Sequence, residues 1–290
     1  MKKTLAISAI LTMVALALSG VVYAQSAQTQ DKAGKSAAEI AAELANPNTN
    51  LGTLNFNFDY VNFKGDLPSA DDQNAFIMTF QPILPVPLGE GLNFFARPAV
   101  PIVFYRDVPA AEGGFENAGF NLGDIGFDAA VGKTLSNGLV LVGGMVGTLP
   151  TATDDSLAGN QLRLGPEGLA AIVRKWGAVG GLVSHQWDVA TFGDREDYDS
   201  SITGGQLFYI FNLKKGWQIG GSPTWAYNHE ASEGNKWTFP IGIGIKKTSI
   251  FGSMPWKFGF EYWYYVAQPD AYGPGWQLRF SAGPVVPLPW

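Results

Sequence analysis

Eight charged residues recur on one side of alternating, otherwise apolar segments: Arg97, Asp124, Asp128, Arg163, Glu167, Lys257, Glu261 and Arg279. Charges of both signs at such positions suit two kinds of chemistry, and neither makes or breaks a covalent bond. They can pair into a network that fills an interior, or they can line a passage and select a solute by its charge. Both readings are open at the level of sequence. Phe95, Ile77, Leu169, Phe208, Ile210 and Trp263 fall on the same side. The surface that carries the charges is therefore amphipathic and suits a weakly polar or aromatic solute.

Signals for catalysis are sparse. The chain has two histidines, His185 and His229, and no cysteine. Ser184 and His185 are adjacent, so in a strand they point to opposite faces and cannot act directly as nucleophile and base. An acyl hydrolase would need Ser, His and a carboxylate to meet across strands, and this is the enzyme alternative. The expected place of both histidines is instead interfacial, near an outer rim. Gly132-Lys133-Thr134 resembles the end of a phosphate-binding loop, but Phe127 stands where that loop requires glycine. The acidic stretch Asp194–Asp199 lacks calcium-loop spacing. It reads as a solvated loop, bridged through divalent cations to lipopolysaccharide phosphates. No catalytic residue, metal site or cofactor is expected. A net charge of −6 with no basic block argues against nucleic acid as a partner.

The elements that would position these residues are strands. From Leu51 onward, period-two segments alternate with turn signals. Leu54, Phe56, Phe58 and Tyr60 oppose Thr53, Asn55, Asn57 and Asp59, and Ile241, Ile243 and Ile245 continue the pattern far downstream. The closing stretch alternates Trp276, Leu278, Phe280, Ala282, Pro284, Val286, Leu288 and Trp290 against Gln277, Arg279 and Ser281. About twelve such segments occur, an even number of the length needed for a tilted bilayer crossing. The expected fold is all-β: a transmembrane antiparallel up-and-down β-barrel with a short N-terminal helix. Long connections at Lys64–Asp72, Arg106–Gly119, Pro150–Asn160, Ala190–Ser200, His229–Asn235 and Ala267–Gly275 alternate with tight ones. The long loops are acidic, and the short turns hold Lys133, Arg174, Lys175, Lys214, Lys215, Lys246 and Lys247. Pro82, Pro85, Pro98, Pro101, Pro166, Pro223 and Pro240 lie inside expected strands, where bulges or missing ladder bonds are required.

Residues 1–24 read as a secretory signal peptide: Lys2 and Lys3, an apolar run from Leu5 to Leu18, and Val22-Tyr23-Ala24 before Gln25. An uncleaved anchor is the alternative, disfavoured by the small-residue site and the polar stretch after it. Residues 25–50 form a polar segment with a helix from Ser36 to Ala45, opened by a capping box between Ser36 and Glu39 and stopped by Asn46-Pro47. Its two readings are a plug in the barrel mouth and a loose tail, and the tail is favoured because so short a helix is unstable alone. Residues 51–290 form the barrel. The cell outer membrane is the expected location. The expected partners are its lipid and lipopolysaccharide, a small-molecule solute, and the barrel-assembly machinery reached through Trp290.

Several segments carry a resemblance. Leu122-Gly123-Asp124-Ile125-Gly126-Phe127-Asp128, Gly147-Thr148-Leu149-Pro150-Thr151 and Leu164-Gly165-Pro166-Glu167 resemble recurring pieces of the meta-pathway phenol-degradation (MetA-type) family of outer-membrane proteins. Leu182-Val183-Ser184-His185-Gln186-Trp187-Asp188 and the closing Pro-Leu-Pro-Trp resemble a bacterial subgroup labelled neuromedin U. The likeness covers most of residues 45–290. It implies a barrel of transporter type that passes small hydrophobic or aromatic compounds, and it brings no catalytic residues. The function expected from residues and resemblance together is passive passage or binding of a small solute. The alternatives are the acyl hydrolase and a non-transporting structural or surface-interaction barrel.

Overall fold

Twelve antiparallel strands close on themselves in a computed structural model that describes residues 34–193, 198–288 and 290. The expected signal peptide, most of the polar stretch after it, and Asp194–Asp197 of the acidic loop lie outside the described residues. The strands are β1 (Gly52–Lys64), β2 (Asn74–Gly89), β3 (Leu92–Pro109), β4 (Ile125–Thr134), β5 (Leu139–Leu149), β6 (Gln161–Arg174), β7 (Gly177–Thr191) and β8 (Ser201–Asn212). β9 consists of two runs, Trp217–Gly221 and Thr224–Asn228, and β10 (Trp237–Phe251), β11 (Met254–Ala267) and β12 (Gly273–Val286) complete the wall. Each strand pairs with its neighbours in sequence. β1 also pairs with β12, from Gly52 opposite Val286 to Lys64 opposite Gly273, and that ladder closes the barrel. The last strand stops at Val286, short of the chain end that its alternation suggested.

The period-two pattern dictates the facing. Leu141, Met145, Val183, Leu207, Ile241, Ile243, Ile245 and Phe280 are exposed on the outside. Val140, Leu169, Phe208, Ile210 and Trp263, one residue out of phase with them, are buried inside. Aromatic side chains gather at both ends of the outer surface. Trp176 and Phe211 pack together near the short turns, and Tyr227 with Trp237 and Tyr60 with Trp276 do so near the long loops. An apolar belt between two aromatic bands is the outer surface of a membrane barrel.

The interior prolines interrupt the ladder where the missing N–H requires it. Pairing of β2 with β3 lapses between Phe80 and Leu84, around Pro82 and Pro98. Pairing of β6 with β7 lapses beside Pro166, β9 breaks at Ser222-Pro223, and the register of β10 on β11 shifts at Pro240.

The N-terminal helix α1 (Ala37–Glu43) starts at the expected capping box: the Ser36 N–H donates to Glu39 Oε2 at 2.7 Å and the Ser36 hydroxyl accepts from the Glu39 N–H. The Ser36 N–H and hydroxyl both donate to the Glu39 carboxyl and hold it below the usual carboxylate range. The helix is no loose tail, and the favoured expectation is corrected here. Ile40 and Leu44 pack on Leu51 and Val285, while Ala45 joins an internal cluster of Val140, Leu169, Ala171, Ala178, Phe208 and Ile210. Gln218 Nε2 donates to Ala41 O at 2.8 Å. Asn48 Nδ2 donates to Gly91 O at 2.9 Å and to Thr134 Oγ1 at 2.8 Å, and Asn93 Nδ2 donates to Asn48 O and Oδ1 at 3.2 Å. A seven-residue helix gains its stability from such packing rather than from its own turns. The segment thus fills the short-turn mouth.

One tight turn carries a clear steric requirement. Gly177, at the head of β7, has φ +145°, and a Cβ there would stand 1.8 Å from Ile210 O on β8. Gly177→Ala is expected to destabilise the refolded barrel by about 1–3 kcal/mol, from backbone strain and a pushed ladder. The urea midpoint followed by tryptophan fluorescence measures this; an unchanged midpoint contradicts it.

Candidate functional site

The charged interior divides into two clusters on different parts of the wall. The first spans β10, β11, β12 and β1. Glu261, Arg279 and Asp59 are direct cross-strand partners, so their side chains share one row. Arg279 is bidentate to Asp59, Nε to Oδ1 at 2.6 Å and Nη2 to Oδ2 at 2.9 Å, and its guanidinium lies 4.4 Å from the Trp263 ring centroid. Gln277 Nε2 donates to Asp59 Oδ1 at 2.7 Å, and the Tyr265 hydroxyl donates to Gln277 Oε1 at 2.9 Å. Next to them Glu261 accepts from Lys246 Nζ at 2.8 Å, from the Ser222 N–H and hydroxyl at 2.9 Å each, and from Trp263 Nε1 at 3.0 Å. Gly244 on β10 makes room for this: a Cβ there would meet Glu261 Cγ at 2.5 Å. The Pro223 break in β9 frees the Ser222 N–H for the carboxylate. Asp59, Arg279, Glu261 and Lys246 each have a counter-charge and further hydrogen bonds, the condition under which an ion pair survives burial.

The second cluster lies on β3, β4 and β6. Arg97 and Asp128 are cross-strand partners, with Nε to Oδ1 at 2.8 Å. Glu167 is buried in the field of both, and its Oε1 has no hydrogen-bond partner. Its register neighbours are Gly144 on β5 and Ser184 on β7.

Of the eight charged residues singled out from sequence, the structure places Arg97, Asp128 and Glu167 together, and Glu261 with Arg279. Lys257 lies on β11 with Glu261, in the first cluster, but does not pair with it; Lys246 takes Glu261 instead. Arg163 faces inward opposite Asp188 near the long-loop end and forms no ion pair among the described residues. Asp124 is a correction: it precedes β4 and ties down the loop after β5. Its Oδ1 accepts from the Thr151 and Ala152 N–H at 3.0 and 2.9 Å, and its Oδ2 accepts from the Gly159 N–H at 2.8 Å. Lys246 is a second correction, since it belongs to the interior and not to a short turn. Asp59 was recognisable as inward by its alternation with Phe58 and Tyr60, yet its importance depends on the closing ladder.

Ser184 and His185 point to opposite faces. His185 lies on the outer surface with Trp187, and its Nδ1 shares a hydrogen bond with Thr203 Oγ1 at 2.8 Å; His229 Nε2 meets the same hydroxyl at 2.8 Å. Both histidines sit at the long-loop rim, as their sequence context suggested.

Removing one partner of the bidentate pair strands the other. Asp59→Leu should destabilise the barrel by about 3 kcal/mol, while Asp59→Leu with Arg279→Met should recover most of that loss. Urea midpoints of the three proteins test this, and equal midpoints for the single and double variants would contradict it.

No family model matches the chain, and no curated protein matches it. Solved structures do. An outer membrane channel from Pseudomonas putida F1 is similar with a TM-score of 0.62 and 12% identity, over 81% of this chain and 95% of that one. The NanC porin is similar with a TM-score of 0.51 and 10% identity, over 81% of this chain and 100% of that one. At such identities the likeness is one of fold: this chain has the architecture of a twelve-stranded outer-membrane β-barrel.

Proposed function

We propose that the chain is an outer-membrane channel that binds and passes a small solute through its lumen. The observation that carries this reading is the inner surface. A structural filler needs only paired charges and packed apolar groups. Here a paired network on one wall faces a second wall whose Glu167 keeps a buried, unpartnered oxygen. The inner surface as a whole also mixes those charges with Phe95, Leu169, Phe208 and Trp263, which suits a solute with an apolar body. Both solved structures of like fold are named as a channel or a porin, and the motif likeness to the meta-pathway family points the same way.

Passage requires that residues 36–48 move, because they occupy the short-turn mouth. By the usual asymmetry of such barrels that mouth is periplasmic, and the acidic long loops face lipopolysaccharide. Trp290, whose Nε1 donates to Pro85 O at 2.7 Å, is half-exposed beside it, where assembly machinery has access.

Refolded full-length protein in a planar bilayer should show small or infrequent openings, and deletion of Ser36–Asn46 should raise mean conductance severalfold. Stable insertion of both proteins with no conductance and no solute flux would overturn the channel reading. Identical conductance of the two would overturn the plug.

A further inference from the structure

The long-loop mouth holds a cavity of about 480 Å³, away from both charge clusters. Arg106 lines it. It lies near the end of β3, opposite the fully buried Ala75 of β2, and its guanidinium is 5.8 Å from the Phe63 ring centroid. Phe63 stacks on Tyr272 at 4.6 Å, and Tyr272 packs against Phe115 at 5.0 Å. The Tyr272 hydroxyl donates to Asp107 O at 2.7 Å, so its polar group is spent and the ring presents an apolar wall. Val108, Pro109 and Ala111 add to that wall.

Arg106 differs from the paired cations of the interior. Arg97, Arg279 and Lys246 each hold a carboxylate. Arg106 forms no ion pair among the described residues, and its Nε is buried with no hydrogen-bond partner. A buried donor without an acceptor is costly, and a planar guanidinium is matched best by a planar carboxylate. Glu116 also lines the cavity, and its charge opposes any ligand with more than one negative group.

We propose that this cavity is a capture site in which Arg106 grips the carboxylate of a small monocarboxylic acid, with Tyr272, Val108, Pro109 and Ala111 against its apolar body. The volume lies within the range of small-molecule sites. The site's role as the lumen's entry rests on the channel reading; its binding chemistry does not.

Isothermal titration of refolded full-length protein in nanodiscs, against protein-free nanodiscs, measures the binding directly. Benzoate should bind saturably, and benzamide and inorganic phosphate should bind at least tenfold more weakly. Arg106→Gln should weaken benzoate by roughly ten- to a hundredfold, as loss of a charge-assisted hydrogen bond implies, and Arg106→Lys should fall between. No saturable benzoate binding, or equal binding of benzoate and benzamide by the unmodified protein, overturns the proposal even where a variant does not fold. Equal benzoate affinity in folded Arg106→Gln overturns it as well. Bilayer conductance of the same preparations separates the two readings. Arg106-dependent binding without conductance keeps the site and removes the channel, and conductance without Arg106-dependent binding does the reverse.

Discussion

A backbone amide that crosses hydrocarbon has no water to bond to, so its partner must come from the protein. For this chain that constraint is met by one ladder, β1 on β12. Without it, two long strand edges would be left bare in lipid. With it, every inward side chain acquires an opposite wall, and the interior becomes a place where charges can meet. The Asp59–Arg279 pair is formed across that same ladder, so the seam that closes the barrel is also fastened by a bidentate ion pair.

The remainder of the interior follows from what closure leaves available. The prolines that interrupt the ladder are accommodated locally, and at Ser222-Pro223 the interruption is put to use, because the freed Ser222 N–H bonds Glu261. At the short-turn end the wall carries apolar side chains too few to fill the bore, and α1 completes the packing. At the long-loop end Tyr272 packs on Phe63 and Phe115, and a cavity beside Arg106 remains. The two ends thus differ: the N-terminal helix packs into one mouth, and loop residues border a cavity at the other.

Much of this was legible in the residues alone, because period two is a local property. The facing of Phe56, Ile243 and Phe280, the capping box at Ser36, the opposed facing of Ser184 and His185 and the ladder irregularities at Pro223 and Pro240 all follow from neighbours in sequence. What was not legible depends on contacts between distant segments. Asp59 gains its role from a partner more than two hundred positions away. Asp124 falls one residue outside its strand, and that single step moves it from the lumen wall to a loop. Lys246 looked like a turn residue beside Lys247, yet β10 runs on to Phe251 and carries Lys246 into the interior. Arg106 was assigned to a long loop because the alternation in β3 is obscured by Pro98 and Pro101; the strand continues to Pro109. The helix carried its own start signal but no address, since Ile40 and Ala45 find their partners only on a closed wall.

The central claim is that a closed barrel holds its own N-terminal segment as a plug. Hydrogen exchange followed by mass spectrometry on the refolded protein tests it most directly, because a seven-residue helix has almost no protection by itself. The account predicts that the amides of Ile40, Leu44 and Ala45 exchange far more slowly than an unstructured peptide, on the slow timescale of the adjoining strands. Exchange of those amides at the unstructured rate, with the strands still protected, would contradict it.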